Sequence, residues 1–274
     1  VADPRDELID VDGYRTSIRV TGTGGPCIVF DACSGGGHDL WEQVRDGLGE
    51  TLCLTYARPG LEDSDPLPPA LQASVRTTAP AAARLRAVLR EAGLQGPYIL
   101  VGSSIGGYIV DRFLANWPAD VAGIVQVDPT YLDVIPRMAR DGDIDDADGS
   151  GYRWSWPLSM REMQQTPPST PPHAVVLSRA MGTLPAEIVA RAWQPLTVDE
   201  ADTGWRECQR DWADRLDAVH IAADTAGHLI SRDQPELVAA AVRAIHRAVT
   251  SGARQLDTTS ITDAGGALLP RRPS

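Results

Sequence analysis

Apolar positions along this chain follow two alternating patterns. Short runs that are continuously apolar or alternate with polar residues cover 14–20, 27–31, 51–56, 98–101, 121–128, 174–178 and 218–222, and each reads as a strand. Between them, apolar residues recur at helical spacing over 38–48, 77–92, 105–116, 185–193, 204–216 and 235–249. The runs at 99–101 and 124–127 are apolar almost throughout, which suits strands covered on both faces. Strands alternating with helices predict an α/β fold with a mostly parallel central sheet flanked by helices. In such a sheet ligands bind beyond the carboxyl ends of the strands. Ser104 and Asp128 both fall at such ends.

The rhythm breaks over 129–172. An acidic patch (Asp141, Asp143, Asp145, Asp146, Asp148) is followed by Trp154, Trp156, Met160 and Met163, and then by the prolines Pro167, Pro168, Pro171 and Pro172. A connection this long inside a compact domain is usually functional. It reads as a cap over the strand tips, mobile around 141–151. The expected organisation is a core of 1–128 and 173–250, a cap at 129–172 and a flexible tail at 251–274.

Composition narrows the possibilities. The chain has 274 residues, enough for a large buried core, and a net charge of −12. That balance argues against nucleic acid or an anionic membrane as partner. Every basic residue is Arg. The cysteines Cys27, Cys33, Cys53 and Cys208 form no C-x-x-C pair and have no cluster of histidines beside them, so neither a zinc site nor a disulfide scaffold is expected. No apolar run is long enough for a membrane span, and the segment Val1-Ala2-Asp3-Pro4 is polar, which makes the cytoplasm the default expectation.

The strongest chemical signal is Gly102-Ser103-Ser104-Ile105-Gly106, placed directly after the strand Tyr98-Ile99-Leu100-Val101 and before a helix. Glycines on either side of Ser104 permit a sharp strand-to-helix turn that presents the hydroxyl at the strand tip. A serine hydroxyl needs a base, and the base needs a group to orient it. His228, in Ala226-Gly227-His228 after the last strand, is the best base. His173 and His220 read as structural and His246 as a helix-surface residue, while His38 follows Gly35-Gly36-Gly37 and is a candidate to touch substrate. Asp128, at the neighbouring strand tip, is preferred as the acid over Asp224, which is too near His228 in the same loop. The oxyanion donors would be the N–H of Ile105 and one N–H from the loop after 27–31, with Ser34 chosen and Cys33 the alternative.

These residues together resemble the α/β-hydrolase superfamily over roughly 8–250. The order Ser104, Asp128, His228 is the family order of nucleophile, acid and base. Asp10-Val11-Asp12-Gly13-Tyr14-Arg15 is similar to the family's opening strand, Thr55-Tyr56-Ala57-Arg58-Pro59-Gly60 to its Tyr-Asp-Arg-Pro-Gly stretch, and Gly227-His228 with Asp233-Gln234-Pro235 to its closing segment. The chain departs from the pattern at Ala32-Cys33, where many members have His-Gly, and at Ala57. It also lacks a carboxylate in Ser178-Arg179-Ala180-Met181-Gly182, where many members carry the acid. The resemblance implies the α/β-hydrolase fold with the cap inserted between strands 6 and 7. It also implies a serine esterase or thioesterase that needs no cofactor or metal.

The leading expectation is hydrolysis of an ester, thioester or lactone through an acyl-enzyme on Ser104. Cys33, His38, Trp154, Trp156 and Met160 would contact a mainly apolar acyl or polyketide-like small molecule, with a carrier protein as a candidate for its delivery. The alternatives are acyl transfer or cyclising thioesterase chemistry in biosynthesis, and a non-hydrolytic enzyme or binder on the same scaffold. Oligomeric state is left open.

Overall fold

A computed structural model describes residues 5–72, 74–130 and 153–272. Its strands are β1 (Arg5–Val11), β2 (Tyr14–Thr21), β3 (Thr23–Asp31), β4 (Thr51–Tyr56), β5 (Tyr98–Ser103), β6 (Val121–Val127), β7 (Ala174–Ser178), β8 (Val219–Ala223) and β9 (Gly266–Leu268). They form one sheet in the order β1-β2-β4-β3-β5-β6-β7-β8-β9. From β4 to β8 every pairing is parallel, while β1–β2, β2–β4 and β8–β9 are antiparallel. The helices are α1 (Glu42–Asp46), α2 (Pro69–Gln72), α3 (Thr78–Glu91), α4 (Ile105–Asn116), α5 (Trp156–Gln165), α6 (Ala186–Ala192), α7 (Val198–Leu216), α8 (Ile230–Asp233), α9 (Pro235–Ser251) and α10 (Thr259–Asp263). This is the mostly parallel, helix-flanked sheet that the pattern predicts.

The two-residue period of the strands divides the core between the two faces. Val29, Leu100 and Val176 point to one side and pack with Leu85 of α3, Ile109 of α4 and Trp212 of α7. Ile99, Val101 and Val175 point to the other and pack with Leu237, Val238 and Ile245 of α9. All six residues of β5 are buried, because helices cover it front and back. Each fully buried Val, Leu or Ile contributes about 1.5–3 kcal/mol, so the centre of the sheet is a rigid platform for the loops at its carboxyl edge.

Three features depart from the sequence expectation. β1 carries Arg5, Asp6 and Glu7 in an almost wholly exposed strand, so no apolar alternation announces it. It is held by its ladder with β2 and by Arg19, which donates to both Asp6 carboxylate oxygens at 2.7 Å. Helix α7 starts earlier than the apolar spacing suggests, because Thr197 and Glu200 form a reciprocal capping box. The tail expected to be flexible from 251 instead forms α10 and β9. Ile261 is buried beneath α9, and β9 extends the sheet beyond β8. Ile261, the backbone ladder and Gln234, whose Nε2 donates to the carbonyls of Ala264 and Gly265 at 2.9 Å, supply that order, and a polar composition conceals it. No described helix is long and apolar enough to cross a membrane.

His38 is a buried fixture of this fold, not a group facing a ligand. Its Nδ1 lies 2.6 Å from Thr55 Oγ1 and its Nε2 3.1 Å from Ser17 Oγ, so both ring nitrogens are bonded within the protein. Burial, with Arg19 nearby, lowers its pKa to about 4 from 6.5, even though Glu62 Oε2 stands 3.3 Å from Nε2. Burial lowers that of His220 to about 4 as well, with Arg206 and Arg210 adding to the effect. Between pH 6.5 and about 4 the unfolded histidines bind protons that the native ones refuse, so stability rises with pH across that window. The contribution is complete above 6.5 and is lost as pH falls toward 4. Thermal melts followed by circular dichroism should show the midpoint dropping through this window, and less steeply in His38→Asn. An equal slope in the variant would remove His38 from the account.

Candidate active site

Strand β5 ends at Ser103 and α4 begins at Ile105, leaving Ser104 alone at the turn with φ 55° and ψ −118°. Positive φ is strained for a residue with a side chain. The turn is enforced by close backbone approach. A Cβ on Gly106 would stand 2.2 Å from the Asp31 carbonyl oxygen, and one on Gly102 would stand 2.5 Å from the Gly106 carbonyl oxygen. These positions can be only glycine, and the contact brings the end of β3 against the first turn of α4.

The structure brings Ser104, His228 and Asp128 together. His228 Nε2 is 3.1 Å from Ser104 Oγ, and His228 Nδ1 is 2.6 Å from Asp128 Oδ2. Ser104 is buried and Asp128 has no exposed surface, whereas the His228 side chain is 41% exposed. The trio therefore opens to solvent on the imidazole side. Asp128 is also at positive φ (42°), and both of its carboxylate oxygens are bonded. Its Oδ1 accepts from the Arg179 backbone N–H and from Trp205 Nε1, each at 3.0 Å. The Trp205 ring meets the His228 ring edge to face at 5.6 Å, and Trp193 stacks on Trp205 at 5.6 Å. Asp224 is exposed on the loop that meets Gly265, and takes no part in this arrangement.

The loop after β3 is held from below. Asp31 accepts from Tyr56 Oη at 2.5 Å and from Arg58 at 2.8 Å, and Arg58 also donates to the carbonyls of Ala32 and Cys33. Burial pushes the Asp31 carboxyl up to about 6 against the pull of Arg58 and Tyr56. Ser34 occupies an exposed turn closed by the Gly36 N–H on the Cys33 carbonyl, while Cys33 is half-buried beside Ala32. Of the two candidate donors, Cys33 follows directly on Ala32 at the β3 end that Gly106 touches, and Ser34 stands one residue further along the loop. Ile105 opens α4, where the first-turn N–H groups have no helical carbonyl to bond.

The remaining sequence candidates fall elsewhere. Trp154 is 1% and Met160 8% exposed, and both join the core cluster on the α3–α4 face. They fasten α5 to the body: Trp154 bridges to Arg76, and Glu162 accepts from Thr77 Oγ1 at 2.6 Å. The Trp156 side chain and the acidic patch at 141–148 lie outside the described residues. Sequence reasoning missed Trp205 and Thr130, whose hydroxyl lies 2.9 Å from Ser104 Oγ. The signal available for Trp205 was the buried-face spacing Trp205, Gln209, Trp212 on α7; Thr130 had none. Among the described residues no cluster of His, Cys, Asp and Glu could hold a metal.

The family model described as alpha/beta hydrolase family matches residues 28–265. Over 139 residues the chain is 36% identical to a Hormonema carpetanum protein named "Probable transporter efuK", a match covering 48% of this chain and 19% of that protein. The chain thus spans under a fifth of that curated relative's length, the 19% just given. Among solved structures, a thermophilic esterase from Thermogutta terrifontis superposes with a TM-score of 0.64 at 19% identity, covering 89% of this chain and 99% of that one. Carboxylesterase CesB from Bacillus subtilis gives 0.58 at 16%, with 89% and 92% covered. A proline iminopeptidase-related protein from Thermus thermophilus gives 0.61 at 16%, with 90% and 99% covered. At these identities the likeness is one of fold.

The close approach at Gly106 yields a direct test. Gly106→Ala would force a methyl to 2.2 Å from a backbone oxygen that has no freedom to withdraw. Overpacking of this kind costs about 1–3 kcal/mol, and urea denaturation should show a loss in that range. An unchanged urea midpoint would mean that the β3–α4 contact is looser than described.

Proposed function

This chain belongs to the alpha/beta hydrolase family, and on that premise we propose that it is a serine hydrolase that cleaves an ester, thioester or lactone through an acyl-enzyme on Ser104. The observation that carries the reading is the continuous relay from Ser104 Oγ through His228 to the buried Asp128, with links of 3.1 and 2.6 Å. The esterases among its structural neighbours favour ester chemistry.

Asp128 accepts the Nδ1 hydrogen and so fixes the tautomer that leaves Nε2 free to take a proton. As Ser104 Oγ adds to the substrate carbonyl carbon, its proton passes to His228 Nε2. The oxyanion that develops is received by the N–H groups of Ile105 and of the loop after β3, from Ser34 with Cys33 as the alternative. Each such donor is worth about 10²–10³ in rate. The imidazolium then protonates the departing alcohol or thiol. Water, deprotonated by the same nitrogen, releases the acid and restores Ser104. Trp205, backed by Trp193, packs against the His228 ring and holds it in place beside Ser104.

Intact mass after exposure to a fluorophosphonate tests this reading. Wild type should gain one adduct, Ser104→Ala none, and His228→Ala should label about 10²–10⁴-fold more slowly. Wild type should then hydrolyse p-nitrophenyl esters of graded acyl length. A folded wild type that takes no label, or takes it equally well without Ser104, would overturn the proposal.

A further inference from the structure

Residues 128–130 are held one by one by helix α7. Trp205, Gln209 and Trp212 lie on one face of it. Trp205 Nε1 donates to Asp128 Oδ1 at 3.0 Å, Gln209 Nε2 to the Pro129 carbonyl at 2.8 Å, and Trp212 Nε1 to the Thr130 carbonyl at 3.4 Å. From the other side, the Thr130 N–H donates to the Ser104 carbonyl at 3.2 Å. Thr130 is thus tied by its backbone to both α7 and the elbow. Its buried hydroxyl lies 2.9 Å from Ser104 Oγ.

The direction of that hydroxyl bond follows from the rest of the relay. With the Nδ1 hydrogen on Asp128, neutral His228 presents Nε2 as an acceptor. Ser104 has one hydrogen, and it goes to Nε2. In the Ser104–Thr130 pair the donor is therefore Thr130. We propose, building on the serine-hydrolase reading above, that Thr130 is a further catalytic residue: its hydroxyl donates a hydrogen bond to Ser104 Oγ when that oxygen carries negative charge.

Charge builds on Oγ twice. It appears as the proton leaves for His228 during attack. It returns during release of the acid, when the C–Oγ bond breaks with its electron pair on Oγ and the imidazolium hands back the proton. Thr130 transfers no proton in either step. Its bond strengthens as Oγ becomes anionic, because hydrogen bonds to ionised partners are about twice as strong as neutral ones. A donor that gains strength in the transition state raises the rate.

The test measures the rate of fluorophosphonate labelling, in which Oγ displaces fluoride from phosphorus, across pH 5–9 for wild type, Thr130→Val, Thr130→Ala and Thr130→Ser. Val and Ala should label about 10–100-fold more slowly, at a plateau lowered without a moved inflection. Ser, which restores the hydroxyl without the methyl, should label within about threefold of wild type. The Ala–Ser comparison differs in one oxygen, so it stands even if Val packs poorly. Val and Ala labelling at the wild-type rate would overturn the role of Thr130 and leave Ser104 as nucleophile intact. Ser labelling as slowly as Ala would show that the hydroxyl does not restore the rate, assign the effect to the fit of the side chain, and also overturn it. A wild type that takes no label overturns the parent reading and this one with it.

Discussion

A carboxylate without access to water must be bonded by the protein itself, and Asp128 has no exposed surface. Its oxygens accept from the Arg179 backbone, Trp205 and His228, and the Arg179 side chain, paired at 2.5 Å with Asp202, stands 4.0 Å away. Each partner comes from a different part of the chain: the loop after β7, helix α7 and the loop after β8. One buried charge therefore sets the relation of three segments at the sheet's carboxyl edge. Removing a single partner of such a group is far more damaging than its net contribution suggests, because the remaining charge is left uncompensated.

Backbone approach is the second organiser. Gly102 and Gly106 let α4 start so close to β3 that no side chain fits between them, and Ser104 takes the strained conformation that results. The same crowding presses the end of β3 against the elbow. Beneath it, Asp31, Tyr56 and Arg58 form a buried cluster that grips the carbonyls of Ala32 and Cys33. The loop that carries Ala32-Cys33 is thus braced by a guanidinium reaching across from the loop after β4.

The strain at Ser104 and Asp128, both at positive φ, falls at the two strand tips whose side chains meet His228. Such conformations persist only where surrounding contacts over-determine them. Here the contacts are backbone hydrogen bonds and buried aromatic N–H groups from α7, set on a sheet whose centre is packed on both faces.

Ser104, His228 and the parallel sheet were legible in the sequence because each leaves a local mark. Glycines flank a serine between a strand and a helix, a glycine precedes a histidine after the last strand, and apolar runs alternate with helical spacing. Asp128 was readable from its place at a strand end. What stayed hidden depends on contacts between distant positions. His38 looked free to meet a ligand, but Ser17 and Thr55 occupy both its ring nitrogens. Trp154 and Met160 looked like binding residues, but they pack α5 onto the core. β1 and the segment after 251 gained order from strand pairing that their polar composition does not display. Short-range patterning determined the elements and the two residues that punctuate them. Only the tertiary structure decided which buried donors meet Asp128 and that the Thr130 hydroxyl meets Ser104, because a hydrogen bond depends on distance and direction between groups far apart in the chain.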